Sequence, residues 1–231
     1  MTDSVNWVAF REPRGFIVPE IILWAQEWRP NLKILLFSLA LFAAQAGSTW
    51  TSLFDGKTMQ GWSTAGAVQW TVTDGALSAN PSAQPAITGA DGKPTHPAGF
   101  LRSDASYANF DLTAEFYSEK NTNSGVFVRC AAGQTISQNS CYEVNISDNH
   151  PTHPTGSIVG MHSTLPTRAA TAGKWSTMEI GAHGSHIVVK VDGKTMLDVK
   201  DEKFTTGAIA LQAGGPNGPG PVRFRNIRVR S

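Results

Sequence analysis

Beyond residue 46, apolar and polar residues alternate with a period of two along short segments, which Gly, Pro, Asn and Asp separate. The clearest alternation has Phe110, Leu112, Ala114 and Phe116 between polar neighbours. Successive side chains of a β-strand point to opposite faces, so one face of such a strand can join a core. Almost no stretch shows the 3.6-residue apolar period of a helix. The pattern predicts an all-β sandwich of two antiparallel sheets.

Turn signals place the boundaries of further strands. Asp74-Gly75 and Asp192-Gly193 each separate two alternating segments, so each predicts a hairpin. Besides residues 110–117, we predict strands over residues 70–72, 76–78, 177–180, 186–191, 195–199 and 207–212. Two long stretches, residues 80–99 and 147–173, contain several prolines and are predicted to be loops, which at this length are usually functional or disordered.

The first 46 residues have the features of an export signal. Lys33 precedes an apolar run over residues 34–44, and Ala44-Gln45-Ala46 supplies the small-x-small pattern of signal-peptidase cleavage. The run is much shorter than the ~20 residues that cross a bilayer, so a stable membrane span is not expected. We predict cleavage after Ala46, a periplasmic or secreted protein, and a single domain over residues 47–231.

Residues 1–32 do not fit this picture, because signal peptides begin close to their charged end. Two explanations stay open. The translation start is assigned too far upstream, or these residues form a genuine cytoplasmic or membrane-peripheral extension.

Composition excludes one class of partner. The chain has 231 residues, 41% of them hydrophobic and 16% charged, which suffices for one core. Its formal net charge is +1 and it has no run of Lys or Arg, whereas phosphate-backbone binding requires clustered cations. Nucleic acid is therefore not an expected partner.

The two cysteines predict a disulfide. An even number of cysteines in an oxidising compartment normally pairs, so Cys130 and Cys141 are expected to form a bridge. It would close a loop of about ten residues and stabilise the fold by roughly 2 to 3 kcal/mol. Structural zinc takes four ligands, so this pair alone predicts no metal site.

The strongest candidate for chemistry is a predicted hairpin formed by residues 123–129 and 142–146. If the valines and Ile146 pack inward, alternation places an aromatic ring, a cation, a carboxylate and an amide together on the opposite face. These are Phe127, Arg129, Glu143 and Asn145. Sugars bind such mixtures through hydroxyls and C–H faces. The alternative is an ordinary solvated Arg129–Glu143 ion pair, worth less than about 1 kcal/mol.

Two features complicate this hairpin. The same alternation sends Cys130 and Cys141 to different faces, so the predicted disulfide requires a break in strand regularity. An ordinary glycosidase also needs two carboxylates that flank the scissile bond. Asp148 and Glu115 are possible second acids, but no pattern in the sequence places them beside Glu143.

Several histidines compete for a part in the chemistry. His162 is a candidate general base, although it can equally be a loop contact. His150 and His153 could ligate a metal with Asp148, but polar loop residues are the favoured reading, so we predict no metal. A further pair, His183 and His186, flanks a hairpin turn and is expected to be exposed.

Short motifs at both ends of the domain carry a family resemblance. Leu-Phe-Asp-Gly-Lys-x-x-x-Gly-Trp at residues 53–62 resembles the opening of the 3-keto-disaccharide hydrolase family, and Phe-Arg-Asn-Ile-Arg-Val at 224–229 resembles its closing strand. Asn-Ser-Gly-x-Phe-x-Arg at 123–129 and Tyr-Glu-Val-x-Ile at 142–146 resemble its interior motifs. The resemblance implies a concanavalin A-like or jelly-roll sandwich, and we expect the two end motifs to lie on adjacent strands.

The resemblance also implies a reaction, cleavage of 3-keto-glycosides by elimination and hydration, without a cofactor. A base removes the C2 proton that the C3 ketone acidifies, a cation stabilises the enolate, and the C1 substituent leaves. We expect Glu143, Arg129 and His162 to be the catalytic residues. Phe127, Asn145, Ser124 and Gln212 are the expected substrate contacts. The expected partners are the 3-keto-glycoside itself and a sugar 3-oxidoreductase that makes the ketone.

One departure from the family keeps two alternatives open. Family members usually carry a histidine shortly after the Leu-Gln of the penultimate strand, whereas Ala213-Gly214-Gly215 follows Leu211-Gln212 here. A non-catalytic carbohydrate-binding module on the same fold is therefore the second hypothesis. A structural interaction protein is the third, and it requires Arg129 and Glu143 to face solvent with no cleft around them.

Overall fold

Most strands of the described residues form two antiparallel sheets packed face to face. The computed structural model describes residues 49–163, 165–215 and 218–231. In chain order the strands are β1 (Thr51–Ser52), β2 (Trp62–Gly66), β3 (Trp70–Thr73), β4 (Ala76–Ala79), β5 (Ile87–Thr88), β6 (Pro94–Thr95), β7 (Gly99–Tyr107), β8 (Phe110–Ser118), β9 (Ser124–Cys130), β10 (Tyr142–Ile146), β11 (Trp175–His183), β12 (His186–Val191), β13 (Lys194–Lys200), β14 (Gly207–Ala213) and β15 (Val222–Arg230). A single-turn 3-10 helix covers Pro81–Ala83.

The larger sheet has eight strands in the order β13-β12-β11-β8-β15-β4-β3, with β1 also paired to β15. Its strand β8 shows how the sequence builds the core. Phe110, Leu112, Ala114 and Phe116 are buried and alternate with partly exposed polar or aromatic residues. One face of the sheet therefore packs into the sandwich and the other faces outward.

The smaller sheet has five strands in the order β10-β9-β14-β7-β2. Its inner face contributes residues such as Leu101, Val126, Val144 and Leu211 to the shared core. Its outer face carries a second, smaller apolar cluster, which includes Phe127 and the two cysteines. Strands β5 and β6 form a separate hairpin within the stretch 80–99.

Most of the predicted strands are confirmed, among them β3, β4, β8, β11 to β14 and the hairpin of β9 and β10. Strands β2 and β7 were missed, because their residues lack a clean apolar alternation and β7 follows the Pro- and Gly-rich stretch 80–99. The two end motifs are strand neighbours as expected, since Thr51 pairs with Val229 and Ser52 with Arg228.

Strand β15 keeps its apolar side inward by means of a bulge. Phe224 and Ile227 are three residues apart, yet both are buried. The pairing to β8 shifts between Arg225 and Arg228, and Asn226 adopts a φ of 51°. Asn tolerates this left-handed conformation better than most residues, so the extra residue is absorbed and the core side is kept.

The described residues all belong to one compact unit, Ser48–Ser231, and the predicted signal region lies outside them. In the part of the chain that the structure describes, no helix is long and apolar enough to span a membrane.

Candidate active site

A bulge in β9 determines which residues of the predicted hairpin share a face. Phe127 pairs with Ala210 and Cys130 with Ala208, so β9 has two residues where β14 has one. Arg129 lies in this bulge with a φ of 55°. The irregularity returns Cys130 to the face of Phe127, where it forms the predicted disulfide with Cys141.

The bulge also removes Arg129 from the face on which we had predicted it. Its side chain is 1% exposed and reaches the β7–β8, β11–β12 and β13–β14 connections. The guanidinium donates hydrogen bonds to the carbonyl oxygens of Gly184 (2.8 Å), Phe204 (3.0 Å) and Ala108 (2.6 Å from Nη2). Burial lowers its pKa. The predicted position beside Glu143 is therefore wrong, and Arg129 fastens loops at one end of the sandwich.

Two cross-strand rows define the outer face of the five-stranded sheet. Cross-strand neighbours on one face of a sheet lie about 5 Å apart, so each row is a line of adjacent residues. The first row is Glu143, Phe127, Ala210, Arg102 and Ser63, and the second is Asn145, Gly125, Gln212, Phe100 and Ala65. Each row contains small residues, Ala210 and Ser63 in the first and Gly125 and Ala65 in the second.

Glu143 lies on this face as predicted, and its environment is unusual for a carboxylate. It is only partly exposed, and among the described residues it accepts no hydrogen bond through its side chain. Burial, without a compensating partner, raises the pKa of Glu143 to about 7. A carboxyl group with such a pKa can take up and release a proton near neutral pH.

The four predicted substrate contacts have different positions. Gln212 is partly exposed, and its buried Oε1 has no hydrogen-bond partner among the described residues. Asn145 is 2% exposed, and its amide donates a hydrogen bond to the carbonyl of His153. Phe127 is 1% exposed and packs edge-on against Phe100, with ring centroids 5.4 Å apart. Phe127 and Asn145 are thus buried beneath the surface of this face, whereas Gln212 is partly exposed on it.

The fourth predicted contact, Ser124, does not lie on this face. It pairs with Ile146 and Ala213, whose side chains are buried, and it is itself fully buried. Its hydroxyl donates a hydrogen bond of 2.6 Å to the carbonyl of Gln212. Strand alternation explains the error, because Ser124 is one residue from Gly125, which does face outward.

His162 belongs to a short hairpin that extends the sheet beside β10, where Val159 N donates to the carbonyl of Glu143. Its ring lies near Asp201, with 3.5 Å between Nε2 and Oδ2, too long for a well-aligned hydrogen bond. Asp201 accepts a 2.6 Å hydrogen bond from Tyr142, whose pKa burial and this bond raise to about 12. Tyr142 and Glu143 are consecutive residues of β10, so their side chains point to opposite faces of the sheet. The ring of His162 therefore lies on the inward side with Tyr142, away from the carboxyl of Glu143.

Neither candidate second acid completes a glycosidase pair with Glu143. Asp148 accepts hydrogen bonds from Thr155, Thr171 and Ala172, so it anchors the loop over residues 147–173. Glu115 lies on the outer face of the larger sheet, where Arg225 donates a 2.7 Å hydrogen bond to it.

The remaining histidines have partners near the surface. His183 and His186 are exposed as predicted and pair with Asp111 and Asp198 at 3.0 and 2.7 Å. In the loop over residues 147–173, the Nδ1 atom of His150 accepts a hydrogen bond of 2.9 Å from the amide of His153. Among the residues described, no cluster of three or more His, Cys, Asp or Glu side chains is placed to hold a metal ion.

A cleft of about 420 Å³ lies at the end of the sheet where β10 finishes and β9 begins. Along β10, Ser147 follows Glu143 and Asn145 with the same alternation, and along β9, Asn123 precedes Gly125. The lining is polar and consists of residues 120–123, Ser147 and residues 149–151. The outer face with Glu143 therefore runs toward a polar cleft large enough for a small ligand.

Comparison with known proteins assigns the fold and the family. The sequence profile of 3-keto-alpha-glucoside-1,2-lyase-like domains matches residues 49–230. The chain belongs to this family. A 3-keto-disaccharide hydrolase from Bacteroides thetaiotaomicron is 25% identical to this member over 265 aligned positions, which cover 89% of each protein.

Solved structures show which fold this chain has. A protein from Parabacteroides distasonis, assigned provisionally as a glycosyl hydrolase, has a TM-score of 0.59 and 25% identity over 79% of this chain and 99% of its own. A carbohydrate-binding module from Bacillus subtilis has a TM-score of 0.53 and 15% identity over 76% of this chain and 98% of its own. The fold is a concanavalin A-like β-sandwich.

Position 214, two residues after Gln212, does not accommodate a side chain. Gly214 has a φ of 78°, and a Cβ atom there would lie 2.5 Å from the carbonyl oxygen of Pro97. No side chain fits at this position without a backbone shift. His96, adjacent to Pro97, has a buried Nδ1 without a hydrogen-bond partner among the described residues.

The sequence pattern did not indicate Phe100 and Arg102 on this face, nor His96 in the loop before β7. The first two alternate with buried Leu101 along β7, so period two would have placed them outward had the strand been recognised. Arg102 lies in the row of Glu143 and donates no side-chain hydrogen bond to another described residue. Nothing in the sequence pattern distinguishes His96 from other loop histidines.

Proposed function

We propose that the protein is an enzyme that cleaves 3-keto-glycosides on the outer face of its five-stranded sheet. The observation that carries the proposal is Glu143, a partly buried carboxyl with a pKa raised to about 7 and no hydrogen bond from another described residue. Family membership and the 25% identical 3-keto-disaccharide hydrolase support this class of substrate. A base that titrates near neutral pH suits removal of a C2 proton that an adjacent ketone acidifies.

The reaction we propose has two stages. Glu143 takes the proton from C2, the electron pair forms the enolate of the C3 ketone, and the C1–O bond then breaks as the leaving group takes up a proton. Water adds to the unsaturated ketone, so the net result is hydrolysis. This route needs one base rather than the paired carboxylates of ordinary glycosidases, which agrees with the positions of Asp148 and Glu115.

Arg102 replaces Arg129 as our candidate for enolate stabilisation. Three strand spacings of about 4.8 Å separate the backbones of Glu143 and Arg102, and Phe127 and Ala210 lie between them in the same row. Both side chains rise from the same face, so together they can bracket one sugar ring. His96 is our candidate for protonating the leaving group, because its buried nitrogen lacks a protein partner.

A substrate pair tests the reaction. We expect the protein to release the leaving group from a 3-keto-glucoside and not from its unoxidised parent, because only the ketone acidifies C2. Glu143→Gln should lower kcat on the 3-keto-glucoside by about 10²- to 10⁴-fold, the usual contribution of a general base. The exposed Glu202→Gln variant is the matched control and should keep full activity. Full turnover by Glu143→Gln would remove Glu143 from the base role.

A non-catalytic carbohydrate-binding module is the second candidate. The glycine at position 214 favours it, because this protein lacks the histidine expected there from the family resemblance. Binding of the 3-keto-glucoside without release of its leaving group would support the module and contradict the enzyme.

The cellular setting belongs to the proposal as well. An oxidoreductase that oxidises the C3 hydroxyl of a glycoside must supply the substrate, since the elimination cannot begin without that ketone. We place the protein in the periplasm or outside the cell, on the basis of the apolar run over residues 34–44 and the Ala44-Gln45-Ala46 site.

A further inference from the structure

The outer face of the eight-stranded sheet, on the side of the sandwich away from Glu143, carries a groove of about 530 Å³. Two cross-strand rows form its floor. They are Lys190, Glu179, Thr113 and Arg228, and Val188, Gly181, Asp111 and Arg230. Gly181 has no side chain in the middle of its row, so a depression lies between its neighbours.

Trp50 lines this groove at the β15 side. It is one of only two large hydrophobic residues that are exposed among the described residues, and its exposed fraction is 41%. The guanidinium carbon of Arg230 lies 4.9 Å from the ring centroid, and that of Arg228 lies 5.9 Å away. Cation–π contacts at these distances hold the indole in place. The exposed part of the ring therefore forms a fixed apolar platform, of the kind on which the C–H faces of sugars stack.

The charges in the groove are largely balanced within it. Asp111 accepts a 2.7 Å hydrogen bond from Arg230 on one oxygen and lies 3.0 Å from His183 on the other. Glu179 pairs in register with Lys190 across β11 and β12. Donors and acceptors are thus dense, but no strong net charge selects an ionic ligand. This combination favours an uncharged molecule with many hydroxyl groups.

We propose that this groove is a second carbohydrate site, which binds a neutral oligosaccharide with one sugar ring stacked on Trp50. It is separate from the reaction proposed at Glu143, because the two sites lie on outward faces of different sheets. Occupancy of the groove would hold the protein on a glycan while the other face remains open.

A titration followed by NMR tests the site directly. We expect maltohexaose or cellohexaose to shift the indole N–H signal of Trp50 in the purified protein. The signal of Trp175, which lies on the same sheet outside the groove, should stay in place. Trp50→Ala should lower the affinity at least tenfold, and Trp50→Phe should retain part of it. Val188→Arg, which fills the groove and leaves Trp50 intact, should also lower the affinity at least tenfold.

Turnover and binding should separate in the variants. Trp50→Ala should keep kcat/KM on a small 3-keto-glucoside, whereas Glu143→Gln should keep the affinity for the hexasaccharide. The proposal is overturned if neither hexasaccharide shifts Trp50, if Val188→Arg binds as well as the parent, or if Glu143→Gln loses the binding. Tighter binding of a heparin hexasaccharide than of either neutral one would overturn the assignment to an uncharged ligand.

Discussion

Glu143 combines a functional property with a cost to stability. Its carboxyl is withdrawn from water and receives no hydrogen bond from the described residues, so its charged form is disfavoured and its pKa is raised to about 7. In the unfolded chain the same carboxyl is solvated and ionises at its ordinary pKa. The folded state therefore loses stability as the pH rises from the ordinary value through 7.

The pH dependence of activity follows from the same shift. Only the ionised form of Glu143 can remove a proton, so kcat/KM for the 3-keto-glucoside should rise about tenfold between pH 6 and pH 8 and then level off. A pH series of initial rates measures this. A profile that is flat across this interval, or that falls, would contradict the assignment of Glu143 as the base.

The stability of Glu143→Gln relative to the parent should increase with pH. At pH 8 the variant lacks the buried charge, so its free energy of unfolding should exceed that of the parent by about 1 to 3 kcal/mol. At pH 4 the parent carboxyl is largely neutral in both states, and the difference should nearly vanish. Urea unfolding of both proteins at the two pH values gives the comparison, with Glu202→Gln as a control that changes neither.

For single residues, the sequence pattern predicted the position of Glu143 correctly and the positions of Arg129 and Ser124 wrongly. Period-two alternation is reliable only while the strand stays regular. The bulge requires a positive φ at Arg129, a residue type that rarely adopts it. Since the position is not a glycine, the sequence contains no signal for the bulge. The burial that raises the pKa of Glu143 also depends on neighbours from β9 and on the segment around Val159, which a single strand pattern does not contain.

At the level of strands, the bulge in β9 joins two functions of the sandwich. It returns Cys130 to the side of Cys141, and it turns Arg129 toward connections at one end of the sandwich. The guanidinium there donates hydrogen bonds to the carbonyls of Ala108, Gly184 and Phe204 at once. Hydrogen bonds from a charged donor contribute to stability, so this one buried side chain stabilises three connections.

Substitutions at the two arginines should therefore have different effects. Arg129→Ala should lower the free energy of unfolding by about 2 to 4 kcal/mol, because it removes a buried side chain and its hydrogen bonds to three loop carbonyls. Arg129→Lys should recover only part of this, since one ammonium cannot reproduce the planar fork. Arg102→Ala should leave stability nearly unchanged and lower kcat on the 3-keto-glucoside. Urea unfolding and initial rates on all three variants check this, and a stable Arg129→Ala protein would contradict the anchoring role.

Strands were predictable where one face is apolar throughout. Strand β8 has an unbroken alternation of buried residues and was recognised with nearly its full length. Strand β7 has buried residues only in its first half, where they alternate with partly exposed ones, and then three exposed polar or small residues, so no periodic signal continues along it. The missed strand carries Phe100 and Arg102, and for that reason half of the candidate site was outside the reach of the sequence pattern.

For the whole molecule, the two sheets offer two independent outward faces. The smaller sheet presents Glu143 and the polar cleft, and the larger sheet presents the groove beside Trp50. The packed core separates the two outward faces. A substitution on one face should therefore not alter the chemistry of the other. This separation is what makes the activity and binding experiments informative about different sites.

The export proposal makes a prediction for the full-length chain. Expressed in a Gram-negative host, the protein should be recovered from the periplasm or medium with Gly47 as its first residue. Leu36→Arg, which interrupts the apolar run, should leave the precursor in the cytoplasm, whereas Leu36→Ile should be exported normally. Sequencing of the N-terminus decides, and a recovered protein that begins at Met1 would contradict cleavage.

The pairing of β1 with β15 has a consequence for how this domain can be combined with others. Because Thr51 lies opposite Val229, the chain enters and leaves the fold at the same place. This domain could therefore be inserted into a surface turn of another domain, because its two ends would keep the two sides of that turn close together. By the same geometry, a short linker from residue 231 to residue 49 would close the backbone into a ring, and new ends could be opened at the Asp192-Gly193 turn.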